Sequence, residues 1–183
     1  MGLPKVMVME DMKKPRKTYI LTVGAYDKRG KEVTAGTPAS LPGFSEDLPR
    51  NRLGLARWLV APQNPLASRV TVNRFWQELF GIGLIKSPEN FGVQSEVPIH
   101  PRLLDWLAAE FVESGWDVKH LMRMIVPSHT SRQSSRVTPA LLEADPANRL
   151  LSRGARFRMP AWMIRDQALS ASGLLVARQG GPP

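Results

Sequence analysis

The richest run of chemically able side chains is SHTSRQSSR, residues 128–136, with four serines, a threonine, two arginines, a glutamine and a histidine. Hydroxyl, amide and guanidinium groups at this density suit a sugar or an anion, and Arg132, Gln133 and Ser134 are the candidates. The same residue types also cap the backbone at helix ends, and both readings stand. A serine nucleophile would need a positioned base; His129 is near in sequence, but no GxSxG elbow surrounds any of these serines. Further on, RGARFRMP (153–160) alternates so that Arg156 and Arg158 fall on one side of an extended segment. With Arg165 and Asp166 following, this is a candidate anion-facing patch; the competing reading is an Arg–Asp network that fixes the last helix.

A third group lies in SRVTVNRFWQELFG (68–81). On a helix Arg69, Asn73 and Trp76 share a side, and Arg74 lies farther round. Arg69, Asn73 and Arg74 could hold an anion beside the indole. Aromatic residues at helical spacing more often form core, which would leave Asn73 and Arg69 to bond neighbouring loops. His100 precedes Pro101 at a helix start, where it could act as a general base or a loose metal ligand, or simply close the loop onto the helix. His100, His120 and His129 lack metal-site spacing, so no metal is expected.

The bulk numbers bound these readings. Hydrophobic residues make up 43% of 183, enough for a real core. The net charge of +9 and pI near 10.5, carried mostly by arginine, point to an anionic partner. No P-loop, GxGxxG, zinc-finger or helix-turn-helix pattern is present, so a nucleic-acid role rests on charge alone and is not favoured. The chain has no cysteine, which removes disulfides, thiolate catalysis and covalent c-type haem attachment from it. No apolar run approaches the roughly 20 residues that span a bilayer, and the first residues do not form a signal peptide.

The elements that must position these residues follow from periodicity and punctuation. TYILTVGAYD (18–27) predicts one short strand, and the Gly-, Pro- and Lys-rich stretch after it predicts turns and extended chain. Helices dominate from Asn51. The first has Asn51 as N-cap and Leu53, Ala56, Leu59 and Val60 on its inner face. The second runs from about 65 to 79 with Val72, Phe75, Trp76, Leu79 and Phe80 inward. Pro101 opens a third, buried through Leu103, Leu104, Leu107 and Phe111. Asp117 caps a fourth, with Val118, Leu121, Met122 and Ile125 inward. Thr138-Pro139 starts a short fifth. Pro160 opens the last, with Ile164, Ala168, Ala171 and Leu175 inward.

PRKTYILTVGAYDKRGKEVTAGTPASLP, NRLGLARWLVAPQNPLASRVTVNRFWQELFGIGLIKSPENFG, HPRLLDWLAAEFVESGWDVKHLMRMIV, SHTSRQSS and RFRMPAWMIRDQALSASGLL occur in that order. Together they resemble the C-terminal secreted domain, of unknown function, of planctomycete cytochrome c domain-containing proteins. The resemblance implies a fragment of a large exported protein, extracytoplasmic (periplasmic or at the cell surface), with an upstream c-type cytochrome segment carrying haem and a second planctomycete-specific domain. It brings no catalytic residues. It marks motif positions: Arg69, Asn73, Arg74 and Trp76; His100; Arg132, Gln133 and Ser134; Arg156, Arg158, Arg165 and Asp166. The chain departs from the usual pattern at Asn90, Ser131 and Trp162, where Asp, Tyr and Glu are usual.

The expectation is a mainly α, irregular multi-helix domain at 50–183, truncated at its C-terminus, with an extended arm at 1–49 that contains one short strand. The expected role is an accessory module of a c-type-cytochrome-linked protein in electron transfer or oxidative processing of surface or polymeric substrates. Its partners would be the upstream domains and an acidic protein or polysaccharide. The alternatives are a non-catalytic structural or acidic-glycan-binding module and a basic nucleic-acid-binding domain. The residues leave open whether the chain is an enzyme, and none of them calls for a cofactor within the chain.

Overall fold

The computed structural model describes residues 7–12, 14, 16–92, 94–176 and 178. The chain is mainly helical and divides into two compact units, residues 1–68 and 69–183.

In the first unit, β1 (Thr18–Leu21) forms the expected strand. Its partner is β2 (Arg29–Val33), antiparallel, with Thr18 opposite Val33 and Tyr19 opposite Glu32. RGKEV reads as turn-like because of its glycine and charges, and the pairing is made by backbone and rim contacts. Lys17 meets Glu32 at 3.3 Å, and the Arg29 guanidinium lies 5.4 Å from the Tyr19 ring centre. Helix α1 (Arg52–Leu59) starts at Asn51, whose side chain accepts from Gly54 N at 3.0 Å. Its buried residues are Gly54 and Trp58, not the expected Leu53, Ala56, Leu59 and Val60, which are all exposed. The reason lies in the chain before the helix. A Cβ at position 54 would run into Pro49 O and the Phe44 ring, so glycine allows that chain to approach closely. One turn on, the Trp58 indole N–H donates to Pro42 O at 2.9 Å.

The second unit holds most of α2 (Ala67–Phe80) and all of α3 (Pro101–Glu113), α4 (Val118–Ile125), α5 (Pro139–Ala144) and α6 (Ala161–Ala171). Its core joins Val72, Trp76 and Phe80 of α2, Leu84 and Ile85 of the next loop, Leu104, Leu107 and Phe111 of α3, and Leu121 and Ile125 of α4. These are largely the stripes predicted from helical spacing. Trp76 and Phe80 stack with ring centres 4.2 Å apart, and Phe111 meets Phe75 and Trp116 edge-on. Gly115, at φ +74°, turns the chain from α3 into α4. Asp117 then caps α4 by accepting from Lys119 N and His120 N, and Thr138 caps α5 by accepting from Leu141 N. Helix α4 also departs from its expected face, because Val118 in its first turn is exposed. In α6 no residue is buried, and Ile164, Ala168, Ala171 and Leu175 are all exposed.

Candidate functional site

The question raised by α2 is answered by Asn73. Its side chain is fully buried and makes a two-point clamp on the loop after the helix. The amide N–H donates to Ile85 O at 2.9 Å, and the amide oxygen accepts from Ile85 N at 2.8 Å. That geometry places a carboxamide where a peptide partner would sit, and it satisfies both backbone groups of a buried residue. Gly83 makes the clamp possible: a Cβ there would lie 2.5 Å from Ile85 O and 2.6 Å from Asn73 Nδ2. Arg69, on the same helix, reaches Asp105 of α3 at 2.7 Å, whereas Arg74 is exposed on the far side. The three residues therefore do not converge on one ligand.

His100 joins a second knot beside the first. Arg149 donates from Nη1 to Gly83 O (2.8 Å) and from Nη2 to Leu84 O (3.0 Å). The Arg149 carbonyl in turn meets His100 Nε2 at 3.0 Å. A carbonyl only accepts, so Nε2 carries the proton, and in the neutral ring Nδ1 is the acceptor. The buried Asp145 carboxylate accepts from Arg149 N (2.7 Å) and Leu150 N (2.8 Å). Arg153, also buried, donates from Nη2 to Asp145 O and Pro146 O. Asn148 closes the turn, donating to Arg153 O at 2.8 Å with its own φ at +50°. Such a guanidinium, bonded to backbone carbonyls, acts as a staple for irregular chain. Sequence reasoning missed Asp145, Asn148 and Arg149 as a group. The one available signal was the DPANR spacing, where an Asp precedes unpaired N–H groups as in a helix cap.

Two arginine-bearing segments are laid side by side by the end of this knot. Gly154 N donates to Ser134 O at 2.9 Å, and a Cβ on Gly154 would lie 2.5 Å from Gln133 O. This joins 132–136 to 153–158. Arg153 turns inward, while Arg132, Gln133, Ser134, Arg136, Arg156 and Arg158 are exposed. None of the four exposed arginines forms an ion pair with a carboxylate among the described residues. Between Arg156 and Arg158, Phe157 packs over Gly81, where a Cβ would lie 2.6 Å from the ring. Arg156 also borders a cleft of about 170 Å³ with Phe80, Ile82, Asn148, Leu151 and Phe157 in its walls. Arg165 and Asp166 stand apart on α6 and pair with each other at 3.2 Å, both largely in solvent.

Elsewhere the Asp117 carboxyl is held below its ordinary value, chiefly by the backbone N–H of His120, against the opposing effect of desolvation. His120 Nε2 reaches Glu110 at 2.8 Å, joining α4 to α3. No group of three or more His, Cys, Asp or Glu side chains among the described residues could hold a metal. Covalent c-type haem needs cysteine thiols, and the chain has none, so its residues do not fit that group. No helix among the described residues is long and apolar enough to cross a membrane.

A family model described as "PSD1: Protein of unknown function (DUF1553)" matches residues 51–183. No curated protein and no solved structure matches the chain.

Proposed function

We propose, from the premise that the chain belongs to the PSD1 family of proteins of unknown function (DUF1553), that it is an accessory docking module for a carboxylate-bearing partner. The observation that carries the reading is the Gly154–Ser134 backbone bridge, which ties the segment bearing Arg132 and Arg136 to the one bearing Arg156 and Arg158. Four exposed guanidinium groups on two tethered segments offer planar, paired donors to carboxylates. The surplus positive charge of the chain would speed encounter with such a partner. Asn73 and His100 enter the reading as supports of the loops beneath, because their bonds already go to backbone groups. The wider setting rests on the resemblance alone: an extracytoplasmic parent linked to a c-type cytochrome, with electron transfer or oxidative chemistry carried by other segments.

The test is equilibrium binding to two carboxylate polymers, poly-L-glutamate and polygalacturonate, at low and high salt. The variant R132Q/R136Q/R156Q/R158Q is compared with R16Q/K28Q/R57Q/R102Q, which removes the same number of charges from exposed positions elsewhere. Exposed ion pairs contribute about 0.2–1 kcal/mol each, so the first variant should bind at least roughly fourfold more weakly. The second should change little. Equal loss in both variants, or no binding by the parent chain, overturns the proposal. The polymer that binds more tightly distinguishes an acidic protein partner from an acidic polysaccharide.

A further inference from the structure

We propose that the cleft beside Arg156 receives one bulky apolar side chain, phenylalanine or leucine, that stands next to a carboxylate in an acidic peptide segment of the partner. This rests on the docking role proposed above and narrows the partner to a polypeptide. Phe80, Ile82, Leu151 and Phe157 supply apolar wall, and Asn148 and Arg156 line the cleft with them. All six belong to the second unit. The volume is about 170 Å³, and an apolar cavity of about 150 Å³ takes a benzene ring. The space is therefore the size of one aromatic or branched side chain. The four apolar walls offer the hydroxyls of a sugar no hydrogen-bond partner, which favours a peptide over a polysaccharide here.

The charge at the rim identifies what accompanies that side chain. No acidic residue among the described residues lines the cleft. Arg156 is exposed and forms no ion pair among the described residues. The carboxylate of the neighbouring turn, Asp145, is buried and already accepts from Arg149 N and Leu150 N. The guanidinium groups of Arg149 and Arg153 are committed to backbone carbonyls. Arg156 is thus left to meet a carboxylate supplied from outside, directly beside the apolar recess. The recess is also formed in advance. Gly81, at φ +76°, ends α2 directly after Phe80, and Phe157 packs over it. Leu151 sits at φ +54°, a left-handed backbone that leucine seldom adopts and that marks ligand sites more often than other surface. The turn that contains it is closed by the Asn148 side chain, which accepts from Arg153 N at 3.3 Å and donates to Arg153 O at 2.8 Å. Walls fixed before binding spare the cost of ordering them on contact.

The experiment is calorimetry on the full chain with two nonapeptides of equal charge, eight glutamates around a central phenylalanine or a central alanine, at low and high salt. The phenylalanine peptide should bind roughly tenfold more tightly, the low end of what burying its ring yields. Raising salt should weaken both peptides and preserve their ratio, because screening acts on the charges alone. The phenylalanine peptide, and not the alanine one, should shift the methyl signals of Ile82 and Leu151 through its ring current. Ala147→Phe, which fills the cleft from an exposed position in its lining, should reduce the ratio below about threefold, with the melting curve as the check that the variant folds. A ratio below about threefold in the parent chain overturns this inference and leaves the docking role standing. A ratio that Ala147→Phe does not lower puts the apolar contact elsewhere and overturns the cleft. Tighter binding of an oligogalacturonate of the same charge than of the phenylalanine peptide assigns the face to a polysaccharide and also overturns it. No binding of either peptide overturns both readings.

Discussion

Replacing Asn73 by alanine removes both ends of the clamp on Ile85. The two bonds, 2.9 and 2.8 Å long, satisfy the carbonyl and the N–H of a buried residue, and Asn73 itself has no exposed surface. Alanine can supply neither partner. Each buried backbone group left unsatisfied costs about 1–3 kcal/mol, which gives about 2–6 kcal/mol for the pair. That is a large part of the 5–15 kcal/mol typical of a domain. With a urea dependence of about 2 kcal/mol/M, the denaturation midpoint should fall by about 1–3 M. The control is Arg74→Ala, one residue on and exposed, which should stay within about 0.5 kcal/mol of the parent. Equal effects in the two variants, or a loss below about 1 kcal/mol at Asn73, would refute the clamp as a source of stability.

The remaining predictions concern glycines and a cap. Gly83→Ala should destabilise by about 1–3 kcal/mol in the same urea assay, because its Cβ would meet Asn73 and Ile85 O. Gly154→Ala should weaken binding to a carboxylate polymer without any arginine being touched, because its Cβ would push against Gln133 O and part the two segments; unchanged affinity in a folded variant would count against the bridge. Asp117→Ala should lower the melting temperature near neutral pH. The folded-state carboxyl is held below its ordinary value, so its contribution is present above the unfolded value and fades as pH falls through the folded one. The gap between parent and variant should therefore narrow on acidification, and a gap that widens would contradict the capping role.

Features decided within a few residues were legible in the sequence. Asn51, Asp117 and Thr138 cap their helices because each sits next to N–H groups that need an acceptor, whatever the rest of the chain does. The α2 and α3 stripes were legible because helical spacing fixes which residues share a face. Features decided by distant chain were not. Trp58 is buried and Leu59 exposed because of where Pro42 and Pro49 lie, which no local pattern encodes. In RGARFR, Arg153 turns inward and Arg156 outward, although the residue type is the same. The difference comes from the carbonyls of Asp145 and Pro146, which give one guanidinium partners that the other lacks. Asn73 was readable as a polar residue on an apolar helix, but its partner Ile85 was not, because it lies twelve positions on, past the end of α2 in an irregular loop.

The most direct measurement of the docking claim is where a bound acidic polymer touches the chain. Amide chemical-shift mapping with short oligoglutamate or oligogalacturonate gives this residue by residue. Perturbations should concentrate at 132–136 and 154–158 and weaken together as salt is raised. Shifts spread evenly over the basic surface, or centred on Arg74 or on Arg165 and Asp166, would contradict it.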